Sequence, residues 1–251
     1  MLADERRHRI ASLVVAKGAA TVAHLSEKLS VSAVTIRSDL EALEKRGLLK
    51  RNHGGAVARQ VLRFAPDFLE KSSQHHKEKE AIANLAVDLI EDGDHLILDA
   101  GSTTLALAHK IHNRELTAVV NSVYLLNELF NAPRIELITV GGNLHQRNLC
   151  FVGPLAEAFL QGIHVDKVFL GTNSISRGGV SVTNSLEAGV KRCMVESASE
   201  VVVLADTSKV GVKSFVNVCP LDKVDTLVTD SKISAHQLTN FSKAGVEVLV
   251  T

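Results

Sequence analysis

Apolar residues follow two different patterns along the chain. Up to about residue 59 they recur at helical spacing. Ile10, Leu13 and Val14 share one face of a helix expected over 4–17, with Gly18 as its stop. Thr21 is placed to cap a second helix that carries Val22, Leu25 and Leu29. After a break at 30–32, Ser32 caps a third, in which Ile36, Leu40 and Leu43 recur at i, i+4, i+7, and Gly47 ends it. The run Leu48-Leu49-Lys50-Arg51-Asn52-His53 and a Gly54-Gly55 turn follow, so a three-helix module with a basic wing is expected over 1–59.

Beyond a polar connector, expected over 60–77 with Pro66 and Ser72-Ser73-Gln74-His75-His76, the pattern changes. An amphipathic helix is expected over 81–90. Short continuous runs of Val, Ile and Leu then predict strands over 96–99, 117–121, 136–140, 167–171, 201–205, 226–229 and 247–250. Helical patterns at 104–112, 123–131, 186–197 and 235–244 lie between them. Strands that are apolar throughout and alternate with helices imply a parallel sheet covered on both faces. The fold class is therefore α/β: a winged helix-turn-helix module followed by an open parallel α/β domain over 78–251.

Charge sharpens this division. Net charge is zero, but residues 1–60 carry 11 Lys+Arg against 6 Asp+Glu, and 61–251 carry 17 against 22. A basic head on an acidic body fits a nucleic-acid module joined to a domain with another task. With no Trp and one Tyr, the chain lacks the aromatic platforms of single-strand and RNA readers. Cys150, Cys193 and Cys219 are far apart and lack metal-ligand spacing, so reduced thiols are expected. Met1–Arg9 is too polar for a secretory signal, and no apolar run suits a membrane helix, which makes the cytoplasm the expected location. No Walker loop and no Gly-x-Gly-x-x-Gly opens a helix, so no cofactor is expected.

Two short helices around a tight turn match the helix-turn-helix pattern, whose second helix enters the major groove of double-stranded DNA. Thr35, Arg37, Ser38 and Glu41 lie off the apolar stripe of that helix. Arg37 suits guanine or phosphate, and Ser32, Thr35 and Ser38 suit phosphates or base edges. Lys50, Arg51 and His53 would hold the backbone from the wing. The plainer reading is a small helical hairpin with a solvated charged face; the basic wing directly after it favours DNA.

In open α/β sheets ligands sit at the carboxyl ends of strands. Here those ends are polar and Gly-rich: Asp99-Ala100-Gly101-Ser102-Thr103-Thr104, Asn121-Ser122, Gly141-Gly142-Asn143, Gly171-Thr172-Asn173-Ser174 and Asp206-Thr207-Ser208-Lys209. Glycine permits close approach, while hydroxyls and the N–H groups opening a helix suit an anion. A sugar phosphate would place its phosphate at Gly101–Thr104 (101–104), with Lys209 to neutralise it. Glu187 and Lys191, four apart on one helix face, are either a solvated pair or a sugar-facing pair.

The motif Thr35-Ile36-Arg37-Ser38-Asp39-Leu40, with Leu43-Glu44, Gly47, Arg51 and His53-Gly54-Gly55-Ala56, resembles the N-terminal signature of DeoR-family bacterial transcriptional regulators. The family commonly has a second Arg where this chain has Ser38. The resemblance continues through Asp99-x-Gly101-Ser102-Thr103-Thr104, Asn121-Ser122, Gly141-Gly142, Gly153, Gly179-Val180, Glu187 and Asp206-x-Ser208-Lys209. It implies an effector domain similar in fold to ribose-5-phosphate isomerase, a phosphorylated-sugar effector that releases DNA, and a repressor of a sugar or polyol operon. Asn173-Ser174 stands where the family usually has Asp-Gly.

The competing reading is a sugar-phosphate isomerase with an added DNA-binding module. Isomerisation needs a general base, and 167–186 contains no Asp or Glu. Because one helix-turn-helix reads few base pairs, a homo-oligomer, dimer or tetramer, is expected.

Overall fold

The computed structural model describes residues 6, 7, 9, 10, 13, 14, 19–45, 49–52, 54–58, 68, 71, 72 and 74–251. The chain forms two compact units, Met1–Leu69 and Glu70–Thr251.

In the first unit, the described residues of the expected first helix are helical. Then come β1 (Ala19–Thr21), α1 (Val22–Leu29), α2 (Ala33–Lys45), β2 (Leu49–Asn52) and β3 (Gly55–Ala58). The caps form where the hydroxyls were expected. Thr21 Oγ1 accepts the His24 N–H at 3.2 Å, and Ser32 Oγ accepts the Thr35 N–H at 3.2 Å. Ser30, in the left-handed region at φ 54°, makes the turn between the helices. Ile10, Val14, Leu25, Ile36, Leu40, Leu43 and Leu49 form one buried core. The wing is a three-stranded antiparallel sheet, because β1, which the hydrophobic pattern did not reveal, pairs with β3. A Cβ on Gly55 would lie 2.2 Å from the Ala20 carbonyl oxygen, so only glycine lets β3 approach β1. Gly47 and His53 lie outside the described residues.

In the second unit, α3 (His76–Ala86) begins inside the stretch expected to be a connector, and Lys71 and Ser72 are also helical. A 3-10 turn, Val87–Leu89, completes α3 where an unbroken helix was expected. The elements that follow are β4 (His95–Leu98), α4 (Ser102–Ala108), β5 (Leu116–Val120), α5 (Val123–Leu129), β6 (Ile135–Thr139), β7 (Asn143–His145), β8 (Cys150–Val152) and α6 (Pro154–Gln161). The chain continues through β9 (Val165–Gly171), β10 (Ser174–Ser176), β11 (Gly179–Val182), α7 (Ser185–Glu196), β12 (Ala198–Leu204), β13 (Val216–Cys219), β14 (Thr226–Thr229), α8 (Ala235–Lys243) and β15 (Glu247–Val250). Seven strands make one sheet in the order β15-β14-β12-β9-β4-β5-β6, every pair parallel.

Alternation along the strands explains their unbroken apolar character. Ile97, Val168, Leu170, Val201 and Val203 pack on one face with Ala156 and Leu160 of α6, Ala188 and Met194 of α7, and Phe241 of α8. Leu96, Leu98, Phe169, Val202 and Leu204 pack on the other with Ile82 of α3, Leu107 of α4 and Leu125 of α5. The inner strands thus bury both of their faces, while the edge strands β6 and β15 are only partly covered. Burial of that kind contributes about 1.5–3 kcal/mol per large apolar side chain.

The order of strands reverses at β4. The chain runs through β5 and β6 on one side, and through β9, β12, β14 and β15 on the other. The crevice between the ends of β4 and β9 is therefore the topological switch point. Outside the main sheet lie a hairpin of β7 with β8 and a three-stranded antiparallel sheet β10-β11-β13.

Candidate functional site

On α2, Ile36, Leu40 and Leu43 face inward, and Asp39 is buried beside them. Its carboxylate accepts from Arg6 Nε at 2.5 Å and Arg7 Nε at 3.0 Å, which fixes the inner side of the helix to the N-terminal segment. The opposite side carries Val34, Arg37, Ser38 and Glu41, all exposed. Thr35 is half-buried, with its hydroxyl 2.9 Å from that of Ser32. The exposed Arg51 binds Glu44 of α2 through both its backbone N–H, at 2.8 Å, and its Nε, at 2.9 Å. The wing is thereby aligned with α2 by a residue expected only to hold DNA. Between them lies an open cleft of ≈ 380 Å³ lined by Arg37, Glu44, Arg51 and Asn52, among others. The backbone of Lys50 lies in β2.

At the switch point Asp99, Thr104, Asn121 and Lys191 come together, but they face inward. Asp99 is 1 % exposed. Its carboxylate accepts the Gly171 N–H at 2.9 Å and the ammonium of Lys191, which also donates to the Gly171 carbonyl at 2.9 Å. Burial drives the Asp99 carboxyl upward, against the pull of Lys191 and the Gly171 N–H. Lys191 therefore pairs with Asp99, and the expected pairing with Glu187 does not form. The Thr104 hydroxyl donates to the carbonyls of Asp99 (2.6 Å) and Gly101 (2.8 Å), and Thr103 is buried. Of this turn, Gly101 and Ser102 keep part of their surface. Helix α4 starts at Ser102, two residues earlier than the pattern suggested. Asn121 Oδ1 accepts the Ala100 N–H at 2.8 Å, and Ser122 caps α5. Gly141 is exposed. Gly142 has φ +128°, and a Cβ there would sit 2.8 Å from the Val152 carbonyl oxygen. Asn173 is half-buried and accepts the Thr183 N–H at 3.4 Å. Lys209 pairs with Asp206 at 3.3 Å. Burial raises the Asp206 carboxyl, yet Lys209 and Ser208 hold it below the usual carboxylate range.

The β7–β8 hairpin adds residues that the sequence did not single out. It docks on the end of β5 through Phe151 N–H to Asn121 O (2.7 Å) and Val123 N–H to Leu149 O (2.9 Å). This brings His145, Asn148 and Cys150 to Glu187 of α7. Asn148 Nδ2 donates to Glu187 Oε1 at 2.5 Å, and His145 Nδ1 lies 3.3 Å from the same oxygen. That second contact is misaligned for a hydrogen bond, so His145 Nδ1 is buried without one.

His145, Cys150 and Glu187 offer nitrogen, sulfur and oxygen donors within 4.8 Å of one another, a set of the type that suits a soft divalent cation. The hydrogen bonds favour a different use. Asn184 Oδ1 caps α7 by accepting the Leu186 and Glu187 N–H groups, so its NH₂ faces His145 Nε2 at 3.4 Å. Nε2 is then an acceptor, and the ring proton sits on Nδ1, leaving no lone pair there for a metal. Burial also pushes the Cys150 thiol far up, away from the thiolate a metal needs. All three cysteines are buried thiols.

Comparison with known proteins follows the same division. Residues 6–60 match the DeoR-like helix-turn-helix domain, and residues 74–231 match the DeoR C terminal sensor domain. The HTH-type transcriptional regulator GlpR of Haloferax volcanii is 39 % identical over 251 residues, covering 99 % of this chain and 98 % of the relative. The putative aga operon transcriptional repressor of Escherichia coli O157:H7 is 36 % identical, covering 98 % and 93 %. Among solved structures, ribose 5-phosphate isomerase A of Methanocaldococcus jannaschii overlaps at a TM-score of 0.41 with 20 % identity, covering 55 % of each chain. No described helix is long and apolar enough to cross a membrane.

Proposed function

The chain belongs to the DeoR family of helix-turn-helix transcriptional regulators, and from that premise we propose that it represses a sugar or polyol operon and leaves its operator when a phosphorylated sugar fills the β4–β9 crevice. Relatives named as an aga operon repressor and a lactose phosphotransferase system repressor support the first half. The observation that carries the second is the buried, unbonded His145 Nδ1 facing Glu187. A buried N–H without an acceptor is costly, by about 1–3 kcal/mol. A small shift that parts the two groups would admit a sugar hydroxyl that accepts from Nδ1 and donates to Glu187, removing that cost. Ser102 and the N–H groups opening α4 would meet the phosphate, and Lys209, once it leaves Asp206, would be free to neutralise it. Asn121, Gly142 and Asn173 would complete the rim.

In this reading the crevice binds and does not turn over its ligand. Asp99 cannot act as a general base while its carboxylate is committed to Lys191 and the Gly171 N–H. On DNA, Arg37, Ser38 and Thr35 of α2 meet the major groove, and Lys50, Arg51 and His53 the phosphates. A homo-oligomer supplies two such helices to two half-sites.

Binding of the full-length protein to its own promoter region, measured with a panel of sugar phosphates and the matching free sugars, tests the proposal. One phosphorylated sugar should weaken binding at least tenfold, a coupling of about 1.4 kcal/mol. Its free form should not. Equal binding to random DNA, or an undiminished complex with every phosphate, would sink it.

A further inference from the structure

The outer face of α2 contains one residue that neither the fold nor the helix explains. Val34 is 72 % exposed, although it sits in the second position of a helix whose other large apolar residues are buried. Valine is also a weaker helix former than Ala, Glu, Lys or Gln, since its branched Cβ crowds the preceding turn. A single exposed valine on an arbitrary surface needs no explanation. This one stands in a particular place. Val34, Arg37, Ser38 and Glu41 recur at i, i+3, i+4, i+7, so the apolar side chain shares a face with the arginine and serine. It also lies at the N-terminal end of the second helix of a helix-turn-helix, the end whose residues meet base edges.

In the major groove the only apolar feature of a base edge is the 5-methyl group of thymine. We infer that Val34 reads a thymine by packing its isopropyl group on that methyl, one helical turn from the base or phosphate held by Arg37. The inference rests on α2 being the groove-reading helix, as proposed above. It assigns to Val34 a share of sequence specificity that no polar residue on this face can supply, because a hydroxyl or guanidinium does not distinguish thymine from the same base without its methyl. Ala33 and Thr35, its neighbours in sequence, are half-buried, so among these three only Val34 is exposed at this end of the helix.

The test uses full-length protein and a duplex it selects from a random pool of double-stranded DNA. Each thymine of the selected duplex is replaced in turn by deoxyuridine, which removes one methyl and keeps every hydrogen bond. For the unaltered protein, one thymine per half-site should cost about fourfold in affinity, the equivalent of one buried methylene-sized group. The V34A protein should bind the selected duplex more weakly by a similar factor and be indifferent to deoxyuridine at that position. Val34 is exposed and alanine is the better helix former, so V34A keeps its fold. Silent substitution at every thymine, or the same deoxyuridine penalty in V34A, would overturn the inference and leave the role of α2 standing. Failure to select any sequence, with Arg37→Ala binding as well as the unaltered protein, would remove both.

Discussion

On the outer face of α2 the polar side chains point into solvent, whereas at the end of β4 they point into the protein. Arg37 and Ser38 are exposed, and the helix beneath them is held by other residues. Asp99, Thr104, Asn121 and Lys191 are buried and bound to one another or to the backbone of neighbouring strands. The first region presents Arg37 and Ser38 to solvent, so both are placed to meet a large rigid partner. The second holds its shape through the same kind of groups that a ligand would use. The difference shows what a charge in a crevice means: a buried, engaged pair shapes the site, and in the proposed function the ligand is met by groups left with an unused bond, such as His145 Nδ1.

The comparison breaks if the inner and outer residues respond alike to substitution. The largest effect is expected at Lys191. Its removal leaves Asp99 buried and uncompensated, so Lys191→Met should lower the unfolding free energy of the second unit by about 3–5 kcal/mol in a urea titration. D99L combined with K191M should recover much of that loss, since a well-packed apolar pair avoids desolvating charge. Arg37→Ala should change stability by less than about 0.5 kcal/mol, as for most surface positions. It should nevertheless weaken operator binding by about 1–3 kcal/mol if Arg37 grips a base. Equal stability losses at Arg37 and Lys191 would remove the distinction.

A smaller effect refines it. Lys79 of α3 is buried, and its ammonium donates to the carbonyls of Lys71 and of Gln74, the latter at 2.6 Å. Burial first, and then Lys209, push its pKa down to about 8 from 10.5, while Asp206 and Glu78 oppose the shift and Lys71 adds to it. The native form therefore releases its proton at lower pH than the unfolded form. Between about pH 8 and 10.5 the unfolded chain binds more protons, so this group makes stability rise with pH in that window. Lys79→Met should abolish that rise, of about 1 kcal/mol after screening is allowed for. Parallel pH profiles for the two proteins from urea midpoints would show that the burial of Lys79 has no energetic weight.

The strands were legible because a sheet covered on both faces requires unbroken apolar runs, and β14 and β15 fall on the residues expected. The hairpins were not. In Asn143–His145 two of three residues are exposed, and the buried strand Ser174–Ser176 has one apolar residue, Ile175, between two serines. Such strands satisfy themselves across the pair, as where the Ser174 and Ser181 hydroxyls meet at 2.9 Å, and hydrophobic periodicity carries no trace of that. Helix α6 did leave a sign, since Pro154 after Gly153 sits at the first helical position. In the crevice, sequence identified the strand ends but not the direction of their side chains. Asp99 looks like a ligand contact until Lys191, 92 residues away, is seen to fill it. His145 and Asn148 went unnoticed because only the fold of the hairpin brings them to Glu187.

Asp39 gives α2 a fixed back, while Val34, Arg37 and Ser38 stay exposed on its front. Arg6 and Arg7 grip it from one side, and Ile36, Leu40 and Leu43 sink beside it into the core, so the pose of the helix is decided before any base is met. If they read bases as proposed, Val34, Arg37 and Ser38 form a cassette that can be exchanged without disturbing that pose. On that reading, a lineage duplicating this chain could retarget one copy to a new operator by changing those three codons and leave the second unit untouched.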